Sequence, residues 1–154
     1  MTEKNAPFHT LDEFDVEYSG GIQYCTQIQP IFDKKAAVIA LVSSDEYAPF
    51  ASVVVASIIA NASADHQYDI VILTDNMLQR NQWRIQRQAD GIENISIRIL
   101  NISKMIEGFS FFTWAHFTSN TYYRLLTPDV FALYDKVIYL DSDILVNHDI
   151  FDLF

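Results

Sequence analysis

The chain has 154 residues, half of them hydrophobic, and carries 20 acidic against 10 basic side chains, a net charge of −10. That length suits one domain with a real core, the composition is globular rather than disordered, and the charge opposes a nucleic-acid partner. A lone cysteine, Cys25, rules out an internal disulfide, no apolar run nears the ~20 residues of a membrane span, and the N-terminus lacks a basic-then-apolar leader, so the sequence predicts a cytoplasmic protein.

Residues 1–35 are acidic around Asp12–Glu17, broken by Gly20-Gly21, and show no sustained period. They read as an N-terminal extension or linker with a short strand near Ile22–Ile28. From Ala36 the pattern changes. Ala36–Val42 is a continuous apolar run, expected of a strand buried on both faces. Ser43-Ser44-Asp45 offers cap oxygens, Pro49 suits a first helical turn, and Phe50–Ala60 predicts an apolar helix. Tyr68–Thr74 predicts a second strand, Asp75-Asn76 a cap, and Met77–Asp90 a helix stopped by Gly91. Ile95, Ile97 and Ile99 alternate with Ser96 and Arg98, giving a third strand with a more polar face. A loop with an aromatic cluster, Phe109–Phe117, leads to a polar helix near Ser119–Leu126, broken by Thr127-Pro128-Asp129, which starts a short turn through Leu133. Val137–Leu140 predicts a last buried strand, and a helical segment begins at Asp149. Strands alternating with helices argue for an α/β, Rossmann-like fold with a mostly parallel sheet.

The sharpest chemical signal is Lys136-Val-Ile-Tyr-Leu-Asp141-Ser-Asp143-Ile-Leu-Val146. A buried strand delivers two carboxylates to its far end, where open α/β sheets bind ligands. Spaced by one residue on an extended segment, both side chains project to one side. Two like charges there have a use if a divalent cation joins them, and Mg²⁺ or Mn²⁺ prefers such oxygens and holds phosphate in turn. A surface Asp-Ser-Asp turn is the plain alternative. At the end of the first strand, Tyr47 can stack on a base and Ser44 or Asp45 accept its N–H donors, or the group is an ordinary helix cap. Arg124 can grip a phosphate with its planar fork or sit in a surface ion pair. The aromatic cluster suits core packing better than sugar stacking, and Arg80, Arg84 and Arg87 form a solvated helix face. His9, His66 and His148 lack zinc-ligand spacing. Neither a Gly-x-x-x-x-Gly-Lys loop nor a Gly-x-Ser-x-Gly elbow occurs.

Together, Ala40-Leu-Val-Ser-Ser-Asp-Glu-Tyr-Ala-Pro-Phe50, His116-Phe-Thr-Ser-Asn-Thr-Tyr-Tyr-Arg124-Leu125 and the Lys136–Val146 stretch resemble, in order and spacing, family 8 of the glycosyltransferases, the lipopolysaccharide galactosyl- and glucosyltransferase group. The resemblance covers about residues 36–154. It implies a GT-A fold cut short after the Asp-x-Asp strand, a UDP-sugar donor, Mn²⁺ (or Mg²⁺), and hexose transfer to a saccharide or glycoconjugate acceptor with retention at the anomeric carbon. It implies Asp141 and Asp143 as metal ligands, with Asp141 and Ser142 on the nucleotide side and Tyr47 stacked on uracil. It places Ser44, Asp45 and Glu46 around the base and ribose, Arg124 at the donor sugar or its phosphate side as the catalytic residue, and His116 on the acceptor side. Ser44 stands where the family often has Asp, and Glu46 replaces a common Asn. The family's third metal ligand, a His, has no counterpart before Phe154.

Two other readings stand beside this one. A nucleotide-sugar-binding remnant or interaction module would bind without turnover. A haloacid-dehalogenase-type phosphotransferase also uses Asp-x-Asp, but places it after its first strand and before Gly-Thr, whereas Ile144-Leu145 follows here. The chain alone is expected to be inactive or feeble, with exposed apolar surface favouring homo-oligomers and room for peripheral membrane contact.

Overall fold

The computed structural model describes residues 18–19, 22–23, 27–32, 35–107 and 122–154. Two short strands, β1 (Tyr18–Ser19) and β2 (Ile22–Gln23), pair antiparallel. The strand anticipated near Ile22–Ile28 is represented among the described residues by those two positions of β2 alone.

The other strands form a parallel sheet. In chain order come β3 (Ala37–Val42), α1 (Ala48–Asn61), β4 (Tyr68–Thr74), α2 (Gln79–Gln86), β5 (Ile95–Asn101), α3 (Thr127–Val130) and β6 (Ile138–Leu140). The sheet order is β5-β4-β3-β6. Ile39 lies opposite Ile70 of β4 and Ile138 of β6. Strict alternation sends Ile39, Leu41, Ile70 and Ile72 to one face, against Val54, Val55 and Ile58 of α1 and Ile85 of α2. Val38, Ala40, Leu73 and Leu100 go to the other face, against Ile28, Tyr123, Val130 and Phe131. With both faces covered, β3 and β4 are apolar along most of their length, which is why their sequences do not alternate, and the one carboxylate in them, Asp69, needs a buried partner. No helix among the described residues is long and apolar enough to cross a membrane.

Several elements depart from the sequence expectation, each for a local reason. α2 begins at Gln79 rather than Met77, because Thr74 Oγ1 accepts the Met77 amide at 3.1 Å and holds that turn out of the helix. Met77 is buried in the core instead. A 3-10 turn at Arg87–Ala89 finishes the segment, and Gly91 follows at φ 81, a conformation that favours glycine. Thr127-Pro128-Asp129, expected to end one helix and start a short turn, does so as the four-residue α3, with Pro128 in its first turn, where the missing N–H costs nothing. β6 is half-buried rather than buried, since β3 is its one strand neighbour among the described residues.

The polar face expected of β5 is present, but it is covered rather than solvated. Arg98 is buried and closes onto Asp69 of β4, Nε to Oδ1 at 3.1 Å and Nη2 to Oδ2 at 2.5 Å. Its other donors reach the Gln29 carbonyl at 3.0 Å and the Tyr134 hydroxyl at 2.6 Å. Burial pushes the Asp69 carboxyl up while Arg98 pulls it down. Ile28 is buried, and its amide donates to Val130 O at 3.0 Å. Ile28 therefore packs on the sheet, while its described neighbours Gln27, Gln29 and Pro30 are exposed.

Candidate functional site

The strand order locates the site. The chain runs from β3 outward through β4 to β5, then returns to the opposite side of β3 as β6. The carboxyl ends of β3 and β6 thus flank a topological switch point, where such sheets open a ligand crevice. Ser43–Tyr47 leave β3 on one side and Asp141–Asp143 leave β6 on the other. The buried Ser142 hydroxyl donates to the Val42 carbonyl and stitches the two strand ends together. With Ser142 turned inward, Asp141 and Asp143 stand exposed on either side of it.

Among the described residues, no group of three His, Cys, Asp or Glu side chains gathers to hold a metal. The donor set is then two solvent-open carboxylates. Those are hard oxygen ligands, and they fit Mg²⁺ or Mn²⁺, which keeps several waters or substrate oxygens in its shell.

The same period of two brings in Tyr139. Burial first, then the charge of Asp141, push its phenol up to about 12, with Arg124 opposing and Asp141 hydrogen-bonded to it. Arg124 and Tyr139 line one groove, and Tyr139 and Asp141, two residues apart, lie on one side of the strand. Arg124 itself is exposed and follows Tyr123, whose buried ring donates its hydroxyl to Asp75 Oδ2 at 2.8 Å. That anchor fixes the Arg124 backbone beside the carboxyl end of β4. An open groove of about 530 Å³ is lined by Arg124, Thr127, Phe131, Val137 and Tyr139.

The loop after β3 behaves differently from its sequence reading. Ser44 is buried, Glu46 and Tyr47 are exposed, and the Tyr47 ring lies 5.6 Å from that of Phe50 at 43°. No side chain caps α1, whose N-cap position is Tyr47; Ser43 Oγ donates to Ser44 O instead. The cap goes to another helix. Asp45 Oδ1 accepts the Leu78 amide and Asn81 Nδ2, each at 2.8 Å, and the Asp45 amide donates to Asn76 Oδ1 at 3.1 Å. The Leu78 amide first, then Asn81, hold the Asp45 carboxyl below the usual carboxylate range, with the Arg80 charge adding to them.

The remaining expectations sort simply. Arg80, Arg84 and Arg87 are exposed; Arg87 pairs with Asp90 at 3.2 Å and lies 4.5 Å over Trp83. His66 stacks on Phe151 at 3.7 Å, and His148 is exposed. His116, with the aromatic cluster around it, lies outside the described residues. Sequence reasoning missed Tyr139 and Asn81, and read Asn76 as a cap for its own helix rather than as the partner of the Asp45 amide. Tyr139 had a signal, the alternation Val137, Tyr139, Asp141; Asn81 had none, being a partner across loops.

The profile described as glycosyl transferase family 8 matches residues 38–154. The apo structure of WbbM, a bifunctional glycosyltransferase, superposes with a TM-score of 0.74 at 32% identity, covering 86% of this chain and 23% of that one. The galactosyltransferase LgtC, solved with donor and acceptor sugar analogs, gives a TM-score of 0.58 at 28% identity over 75% of this chain and 41% of its own. An active-site mutant of LgtC gives a TM-score of 0.58 at 28% identity over 75% of this chain and 40% of its own. No curated protein matches. This chain spans less than half the length of these solved relatives, and its sheet is the corresponding part of the GT-A α/β fold. With the profile running through both crevice loops, from β3 to Phe154, the chain belongs to glycosyl transferase family 8.

Proposed function

We propose that residues 36–154 form the donor-binding portion of a metal-dependent glycosyltransferase that moves a hexose from a UDP-sugar to a saccharide or glycoconjugate acceptor, with retention at the anomeric carbon, in the cytoplasm. Residues 1–35 extend it. The observation that carries this reading is the exposed Asp141–Asp143 pair, held at the switch point by Ser142, with the Ser44–Tyr47 loop leaving the neighbouring strand.

Asp141 and Asp143 would hold Mn²⁺ or Mg²⁺. The cation, when bound, neutralises charge on the diphosphate leaving group. Arg124, exposed in the same groove as Tyr139, would supply a second positive charge for the donor's phosphate side. Tyr47 offers an exposed ring face for the uracil, while Ser44 and Glu46 offer oxygens to the base and ribose. Ser142 contributes by fixing the backbone between the two metal ligands. His116 belongs to the acceptor side of this proposal. In the reaction the anomeric carbon exchanges its bond to the diphosphate oxygen for one to an acceptor oxygen, which gives up its proton.

A second reading, a nucleotide-sugar-binding module without turnover, is favoured by the two-carboxylate donor set among the described residues. Both readings predict donor binding. Calorimetric titration of UDP with and without Mn²⁺ tests it, alongside Asp141→Asn/Asp143→Asn. Mn²⁺-dependent heat lost in the variant is expected; a folded chain that binds no UDP overturns the donor-site reading. Transferase assay of a longer polypeptide, extended to the length of the relatives, then separates enzyme from module.

A further inference from the structure

Asp45 lies in the middle of the crevice loop, yet its carboxylate is spoken for. Oδ1 receives two donors from the start of α2, and the Asp45 amide is bound by Asn76. The need for this comes from α2. A helix start leaves amides without partners and favours negative charge, and Leu78, at the N-cap position, has no side-chain oxygen to offer. Asp45 supplies both from a neighbouring loop.

The clasp has a second end. The Asp45 carbonyl accepts the Ala48 amide at 3.3 Å, and the Tyr47 carbonyl accepts the Ala51 amide at 3.0 Å. Residues 45–47 are thus one rigid turn continuous with α1. Fixing Asp45 fixes the backbone that carries Tyr47, whose exposed ring has only Phe50 as a ring neighbour among the described residues. An aromatic platform already in place spares a ligand the cost of ordering it.

We propose that Asp45 is a positioning residue: it caps α2 from the adjoining loop, and this clasp to Asn76, Leu78 and Asn81 sets the pose of Tyr47 for a nucleotide base without Asp45 touching the nucleotide. The inference rests on the donor-site reading above and deepens it.

The test compares wild type with Asp45→Ala, Asp45→Asn, Asn81→Ala and the Asp45→Ala/Asn81→Ala pair. UDP is titrated with Mn²⁺, melting temperature is measured on the same samples, and hydrogen exchange is read at the amides of residues 45–48 and 78. Asp45→Ala and Asn81→Ala should each weaken UDP by roughly three- to tenfold, and the pair by no more than Asp45→Ala alone, because one clasp is being broken twice. Asp45→Asn, whose amide oxygen still accepts, should recover most of the affinity. Unchanged affinity in Asn81→Ala beside a loss in Asp45→Ala overturns the proposal, since Asp45 would then touch the nucleotide itself. Lower melting temperatures with unchanged affinity overturn it too, leaving a strut for stability alone. If wild type binds no UDP, the donor-site reading falls separately, and exchange decides the clasp: faster exchange at both loops in both single variants supports it, and unchanged exchange at residues 45–48 overturns it.

Discussion

At the scale of single residues, Asp149 does at the amino end of the sheet what Asp45 does at the carboxyl end. Its oxygens accept the Tyr68 hydroxyl at 2.7 Å, the Phe151 amide at 3.0 Å and the Ser63 amide at 3.3 Å, with His66 Nδ1 at 3.5 Å. Burial works to raise the carboxyl, but the Phe151 amide, Tyr68 and the other donors outweigh it and hold it below its ordinary value. A depressed carboxyl stabilises the fold above its unfolded pKa, and that stability disappears as pH falls through the folded pKa. Asp149→Asn should therefore melt lower than wild type at pH 7. The gap should begin to narrow as pH falls below about 4 and close only once pH has passed below the depressed folded pKa, where both side chains are neutral. Thermal melts from pH 2 to 7 check this, and a gap constant with pH would contradict it. The Arg98–Asp69 pair gives a larger effect. Asp69→Ala leaves a buried guanidinium without its anion, a loss of about 3–5 kcal/mol read by denaturant unfolding. These residues show where the sequence was legible. The Asp141–Asp143 pair and Tyr139 follow from a strand period, which is local. The partners of Asp45 lie 33 and 36 residues downstream, and a single sequence does not say which loop will meet which.

At the scale of elements, the mostly apolar runs gave β3 and β4 directly, because burial on both faces leaves little place for a polar residue without a partner such as Arg98 gives Asp69. Helix boundaries were less legible. Whether Thr74 would bond the Met77 amide depends on which of two local hydrogen-bond patterns the surrounding packing favours. β6 is the element on which the site depends most. It is only three residues long, and the Ser142 hydroxyl adds an anchor to β3 just beyond its end. Ser142→Ala should cost roughly 1–3 kcal/mol, since the Val42 carbonyl loses a buried partner, and should weaken Mn²⁺-dependent UDP binding as well. Equal affinity in a variant of lowered melting temperature would show that the stitch serves the sheet and not the metal ligands.

At the scale of the whole molecule, a charge of −10 should keep copies apart, yet Leu125, Leu145 and Leu153 are 69%, 59% and 75% exposed, and β6 presents an open edge among the described residues. Unpaired edges and exposed apolar side chains favour association. Sedimentation at rising concentration should show self-association that strengthens with salt as the acidic repulsion is screened; a monomer under all conditions would contradict it. The order in which the sheet is assembled carries a further consequence. β3 and β4 join neighbours in sequence, whereas Ser142 and Val42 meet across 100 residues. Contacts that distant form late, because most of the chain must be in place before they repay the entropy of closing the loop. During synthesis, β3, β4 and β5 can be paired while the aspartates are still inside the ribosome. The crevice would then be the last part of this unit to close, and a nucleotide or cation that binds there acts on a sheet already three strands wide.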